Sequence, residues 1–306
     1  MIRFVVSGAL PRLSVMRSRC LADPDSLLAI AGCPEAANVP NAPRSDRFSL
    51  ILHDLRMGGA WKRTNRGRLR QTEEMLCDYI HAEPRQGLTL LDIGASDGIT
   101  TVEAVRALRR AFGDQVQAIV ADRNLWLLRY RRGPVVEYRA ADGEPIMARL
   151  GRLGIRLARP RQGAPSDANP LARLYLRCAG FRSAMRHEAQ IPLVHPAARR
   201  EPGVAVMELD CLVSKECLKD RIAAIRASNV LNLGYFGLPQ IRLAVGHLHG
   251  YLRDGGCLVV SRNHDQPDGE RENGSVWLKD GARFRWVRDF GAGSEIRQIV
   301  DDWPFG

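Results

Sequence analysis

Asp92, Gly94, Ala95, Ser96, Asp97 and Gly98 crowd one short stretch of the chain, and Asp122 follows thirty residues after Asp92. Carboxylates accept hydrogen bonds, and glycines let a backbone approach a ligand that a side chain would hold off. The group therefore suits the grip of a polar ligand; the plainer alternative is that Asp92 and Asp122 cap helices. A dinucleotide site wants G-x-G-x-x-G. Counted from Gly94, Ser96 and Ile99 stand where the second and third glycines belong, which disfavours an NAD(P)-dependent oxidoreductase.

The elements that must position these residues are readable around them. Leu88 to Ile93 is an apolar run of strand length, Gly94 to Gly98 is a turn, and Val102, Ala104, Val105 and Leu108 recur at helical spacing. A strand, a glycine turn and a helix form the first unit of a doubly wound α/β sheet, whose ligands bind off the carboxyl ends of the strands. Val116 to Val120 predicts a second strand closed by Asp122, and Val204 to Asp210 a third that also ends in an acid. Arg221 to Asn232 is a fourth, followed by Leu233 to Phe236. A helix from Pro239 to Arg253 follows, ended by Asp254-Gly255-Gly256. Cys257 to Ser261 is a fifth strand, and Ser275 to Phe290 a hairpin about Asp280-Gly281. Gln71 to His81 reads as a helix packed ahead of the first strand, with Met75, Leu76, Tyr79 and Ile80 on one face.

The spacing Asp92-x-Gly94-x-x-x-Gly98 resembles motif I of the class I S-adenosylmethionine-dependent methyltransferases, D/E-x-G-x-x-x-G. That resemblance covers roughly residues 70–132 and 190–300 and implies S-adenosyl-L-methionine as cofactor. It implies that Asp92 faces the methionine ammonium and that Gly94, Ala95, Ser96, Asp97 and Gly98 clear room for the cofactor. Asp122, with Arg123 beside it, would take the ribose hydroxyls, and Asp210 the adenine amino group. The string from Ser228 to Phe236 is similar to the motif IV region of the chemotaxis-receptor glutamate methyltransferases, N-V-L-x-Y-F, but two extra residues separate Leu231 from Tyr235. It implies that Asn229 contacts the cofactor and that Asn229 and Tyr235 position an acceptor. No general base is assigned. His247 and His249 lie two apart on a helix and face different ways, so no metal site is expected.

The fold class expected is α/β: a doubly wound, Rossmann-like sheet, mostly parallel, with a C-terminal antiparallel hairpin and a hairpin-and-helix insertion. Residues 1–45, rich in Pro, Ala and Ser, read as a loosely ordered arm with a short helix near Asp25 to Ile30. Residues 46–132 and 191–306 form the methyltransferase domain, and 133–190 the insertion. Within the insertion Asp142-Gly143 marks a hairpin, though Asp142 could instead be an adenine-contacting acid. A polar stretch, Arg159 to Ala168, leads to Asn169-Pro170 as the N-cap of a helix carrying Leu171, Leu174, Tyr175, Cys178, Phe181 and Met185, with Arg173 and Arg177 opposite. That helix packs on its own domain or, through 170–187, touches a membrane surface. The basic run Trp61 to Arg70 is a solvated connector or a flap over the cleft.

Composition bounds the rest. The 45% hydrophobic content is ordinary, and no apolar run reaches the eighteen or so residues that cross a bilayer. Seven cysteines without a C-x-x-C read as core residues in a reducing cytoplasm, and no secretory signal is evident. Net charge is +11, and only four of the 45 basic residues are lysine. Without aromatic-interleaved clustering that skew does not mark nucleic-acid binding. The sequence thus points to methyl transfer onto a small molecule or a protein. Its rival from another class is a non-catalytic binding protein built on the cofactor fold.

Overall fold

The computed structural model describes residues 24, 25, 27, 47–53, 55–57, 60–62, 64–80, 87–151, 153–157, 170–266 and 269–304. Most of the expected arm, the polar stretch Arg159 to Ala168 and Asn169 lie outside the described residues; Asp25 and Leu27 are helical.

The main sheet takes its strands from β1 (Leu88–Ile93), β2 (Val116–Asp122), β8 (Val204–Glu208), β9 (Ile222–Ser228), β10 (Leu252–Gln266), β11 (Gly269–Asp280) and β12 (Arg283–Phe290). Their order is β8-β2-β1-β9-β10-β11-β12. The first five run parallel; β11 runs antiparallel to β10 and to β12. The chain steps outward from β1 to β2 to β8, then returns to the other side of β1 with β9. The order therefore reverses between β1 and β9, and a crevice opens there above the strand ends.

Side-chain alternation assigns the two faces. Leu90, Ala224 and Val259 pack with Met75, Leu76, Val105 and Leu108, from helices α2 (Arg70–Tyr79) and α3 (Ile99–Phe112). Leu91, Ile225 and Leu258 point the other way, onto Ile241, Val245 and Leu248 of α7 (Leu238–Tyr251) and Val300 of α8 (Arg297–Asp301). Such period-two runs, buried on both faces, are what central parallel strands require.

Between β2 and β8 the chain builds a second sheet. Strands β3 (Trp126–Arg132), β4 (Val135–Arg139), β5 (Pro145–Leu150), β6 (Leu153–Arg156) and β7 (Arg186–Pro192) pair antiparallel in the order β6-β5-β4-β3-β7. The hairpin at Asp142-Gly143 is present between β4 and β5. The added body is larger than a hairpin and a helix, because Trp126 to Arg132 opens it as a strand. Gly133, at φ 55°, turns that strand straight into Val135. The helix read from Pro170 to Met185 is two pieces, α4 (Pro170–Arg177) and α5 (Ala179–Ser183). Ala172, Tyr175 and Leu176 face the sheet, while Leu171, Leu174 and Cys178 face outward. A third helix of this stretch, α6 (Pro196–Arg200), leads into β8, and α1 (Arg47–His53) supplies Phe48 and Leu52 to the second sheet's core.

Several boundaries differ from the sequence reading: the third strand ends at Glu208 rather than Asp210, and the fifth runs Leu252–Gln266 rather than Cys257–Ser261. Helix α7 ends at Tyr251, so Asp254-Gly255-Gly256 is not its cap but lies inside β10, beside a register shift between Ile222 and Ala224. The fourth strand stops at Ser228, because Asn229 adopts φ 63° and turns the chain off the sheet.

Candidate active site

A cavity of about 1010 Å³ lies across the carboxyl ends of β1, β2, β8, β9 and β10. Its wall includes Asp92, Gly94, Ala95 and Ser96 from the first turn, Asp122 and Arg123 after β2, and Asp210 after β8. Asn229 and Tyr235 line it from the far side of the reversal point. Two sequence-selected residues do not reach it. Asp97 is fully buried and serves the scaffold: it accepts from Ser49 Oγ at 2.8 Å and from the Ile99 amide at 3.0 Å. Gly98 is a packing glycine at φ 79°, where a Cβ would lie 3.0 Å from Val120 and 3.1 Å from Ala198. Gly94 is also constrained by its neighbours, since at φ 67° its Cβ would lie 2.8 Å from Val230 Cβ.

Asp92 meets an internal cation. Register sets Arg226 of β9 directly beside it, and the guanidinium forks onto the carboxylate, Nε to Oδ1 at 2.9 Å and Nη2 to Oδ2 at 2.5 Å. Thr101 Oγ1 donates to the same Oδ2. Asp92 is 2% exposed and Arg226 0%, so the charge expected to face a ligand's ammonium is already matched inside the protein. Beyond Arg226 stands Glu73, 4.0 Å from its Nη1. Burial pushes the Glu73 carboxyl up to about 7, against the opposing pull of Arg226.

Asp122 is matched in the same way. Its Oδ1 accepts from the Asn124 amide at 2.8 Å and lies 3.0 Å from Lys62 Nζ, while Oδ2 accepts from the Ser96 amide at 2.9 Å. Ser96 reaches that position at φ 60°, and its own Oγ is buried in the cavity wall without a hydrogen-bond partner. Arg123, half-exposed on the cavity rim, lies 3.3 Å from Asp142 and 3.6 Å from Asp210. Asp142 is thus a turn residue that accepts from the Glu144 amide, and Asp210 folds back onto the Leu212 amide at 2.9 Å.

On the opposite wall Asn229 acts as a clamp. Its Nδ2 donates to Asn263 Oδ1 at 2.9 Å and its Oδ1 accepts from the Asn263 amide at 2.7 Å, which uses both ends of the side chain. Asn263 Nδ2 in turn holds the Arg68 carbonyl at 2.8 Å. Alongside this bond and the Lys62–Asp122 contact, Lys62, Thr64, Arg68 and Leu69 of the basic run line the cavity rim. Below it, Ser228 and Ser261 hydroxyls are 2.7 Å apart, and Thr72 Oγ1 lies 2.9 Å from Ser261 and 2.7 Å from Glu272 Oε2. Ser228, Ser261, Thr72 and Glu272 thus form a continuous hydrogen-bonded row whose Ser228 end lines the cavity.

Sequence reasoning missed Arg226, Ser228, Asn263 and Glu272. Arg226 had a visible signal: an arginine inside the apolar run Ile222–Ser228 is costly to bury without an acid at the same depth.

No family model matches this chain, and no curated protein matches it. Solved structures do resemble it. Methyltransferases are prominent among them. One is the citrinin polyketide synthase CMeT domain, with 16% identity over 65% of this chain and 35% of that one, at a TM-score of 0.32. Another is the trans-methyltransferase CalH in complex with SAH, at 13%, 64%, 37% and 0.32. A third is geranyl diphosphate methyltransferase in complex with SAM, at 15%, 65%, 50% and 0.28. The chain spans half or less of the length of these three. The functional reading accordingly rests on the cavity's own residues.

Proposed function

We propose that this chain binds S-adenosyl-L-methionine in the cavity at the strand reversal and transfers its methyl group to a small molecule or a protein side chain. One observation carries the reading: the cavity sits at the topological switch point, and the strand-tip acid Asp122 lies on its wall with Ser96 Oγ buried and unpartnered beside it. A strand-tip carboxylate on the cavity wall suits ribose hydroxyls, which donate to it. The residues present thus fit the adenosine end. At the other end Asp92 is engaged by Arg226 and Thr101, so the methionine ammonium takes its acceptors from other cavity groups.

Bound there, the sulfonium supplies an electrophilic methyl and its own neutral leaving group. What remains for the chain is to hold donor and acceptor in line. Asn229, locked to Asn263, fixes the rim of the acceptor side, and Tyr235, 40% exposed, can reorient toward an acceptor. An acceptor that sheds a proton on attack meets the Ser228 hydroxyl, from which the hydrogen-bonded row leads to Glu272. In this reading residues 64–125 and 193–304 form the catalytic body, and the second sheet, with α1 packed on it, is a separate layer.

Calorimetry with S-adenosylhomocysteine, S-adenosylmethionine and NAD tests the assignment. Binding of the first two and not the third is expected; binding of NAD alone, or of none, overturns it.

A further inference from the structure

The second sheet and its helices use few acids to balance many bases. Between residues 126 and 192 the sequence has thirteen arginines, no lysine, and five acids, so this fifth of the chain holds +8 of the net +11. It also exposes apolar side chains on two adjoining elements. Leu150 and Leu153, 51% and 57% exposed, flank the turn of the β5–β6 hairpin, and Leu174 is 63% exposed on α4, which packs on that hairpin through Ala172, Tyr175 and Leu176. Arg173 and Arg177 share the exposed side of α4. Leucines this open, on adjoining elements, have a cost in water.

We propose that this face docks on an anionic lipid bilayer, the leucines entering the headgroup boundary and the arginines meeting lipid phosphate. Charge complementarity selects an anionic partner, and the leucines select lipid over nucleic acid, whose phosphate backbone is bound by cations with no need of aliphatic side chains. Attachment is peripheral: among the described residues no helix is long and apolar enough to cross a membrane. Apolar insertion and charge attraction act together in such binding, so each is separately removable.

The test is flotation of the full chain with phosphatidylcholine vesicles and with phosphatidylcholine–phosphatidylglycerol vesicles, at low and high salt. Flotation with the anionic vesicles alone, weakened by salt, is expected. Leu150→Asp/Leu174→Asp and Arg173→Glu/Arg177→Glu should each lower the bound fraction about tenfold or more. Leu243→Asp, on α7 and also exposed, should float as the wild type does. Circular dichroism confirms that each variant is folded, and the arginine variant, which leaves the leucines in place, decides the matter if the leucine variant is not. Absence of flotation, equal flotation on both vesicle types, or retention of duplex DNA that the leucine variant leaves intact would overturn the proposal.

Discussion

Replacing Arg226 by methionine should be among the most damaging single changes in the protein. The substitution keeps an apolar stem of similar length but removes the guanidinium that makes two bonds to Asp92, at 2.9 and 2.5 Å. Asp92, 2% exposed, is then a buried carboxylate whose remaining side-chain donor is Thr101. Leaving one partner of a buried pair uncompensated costs about 3–5 kcal/mol. Removing both charges is different, because the desolvation penalty leaves with them. The double variant Arg226→Met/Asp92→Asn, which keeps a polar group for Thr101, should fall within about 2 kcal/mol of the wild type. The two single changes would then be coupled by about 2 kcal/mol or more.

Equilibrium unfolding in urea measures all four members of this cycle. The reasoning fails if Arg226→Met costs under about 1 kcal/mol, or if the two single effects add. Either result would mean that water or another group reaches Asp92, and that the carboxylate is open toward the cavity after all. The cycle thus separates an acid spent on the scaffold from one held for a ligand.

Other outcomes follow from the same geometry. Asp122→Ala should weaken S-adenosylhomocysteine binding by about 1–3 kcal/mol by calorimetry; because it strands Lys62, the combined Lys62→Met/Asp122→Ala variant is the control, and unchanged affinity in both excludes Asp122 as the ribose acid. Glu73 has a folded pKa of about 7 against an ordinary 4.5. The folded state therefore holds a proton that the unfolded state has lost, and stability falls as pH rises between those values. Over that window the loss is at most about 3 kcal/mol and less with partial solvent access; Glu73→Gln should flatten the unfolding free energy between pH 5 and pH 8, and an unchanged slope would refute the assignment. Gly94→Ala forces a left-handed residue and a 2.8 Å contact with Val230 Cβ, so a loss of about 2–4 kcal/mol in thermal unfolding is expected, and Val230→Ala, which keeps that Cβ, should not restore it fully.

Much of the main sheet was legible because its signals are local. Leu88–Ile93 and Val116–Asp122 are apolar runs bounded by turn residues, and the strand–glycine–helix order needs no distant information. The second sheet was underread because its opening strand, Trp126–Arg132, is only half buried and carries three arginines. Its pairing partner Arg186–Pro192 lies more than fifty residues away. For the site, the sequence named the acids and could not see their cations. Arg226 is 134 positions from Asp92, and Lys62 sixty from Asp122. Each partnership exists only once the sheet is assembled. Asn229 shows the same limit: its place at the strand tip was readable, but not that Asn263 would occupy both ends of its side chain.

Those partnerships change what the cavity asks of a ligand. With Asp92 matched by Arg226 and Asp122 by Lys62, neither strand-tip acid offers a net negative charge to attract a cation. Selectivity must then come from hydrogen-bond geometry and fit rather than from long-range attraction, which would be screened by salt. A sulfonium and its uncharged thioether product should therefore bind within a few-fold of each other. Both affinities should change little with ionic strength. A ratio of a hundredfold in favour of the sulfonium, equal to about 2.7 kcal/mol, would require an unmatched acid near the sulfur. In that case either the Asp92–Arg226 fork opens when ligand binds or Asp210 or Glu144, which also line the cavity, faces the sulfur.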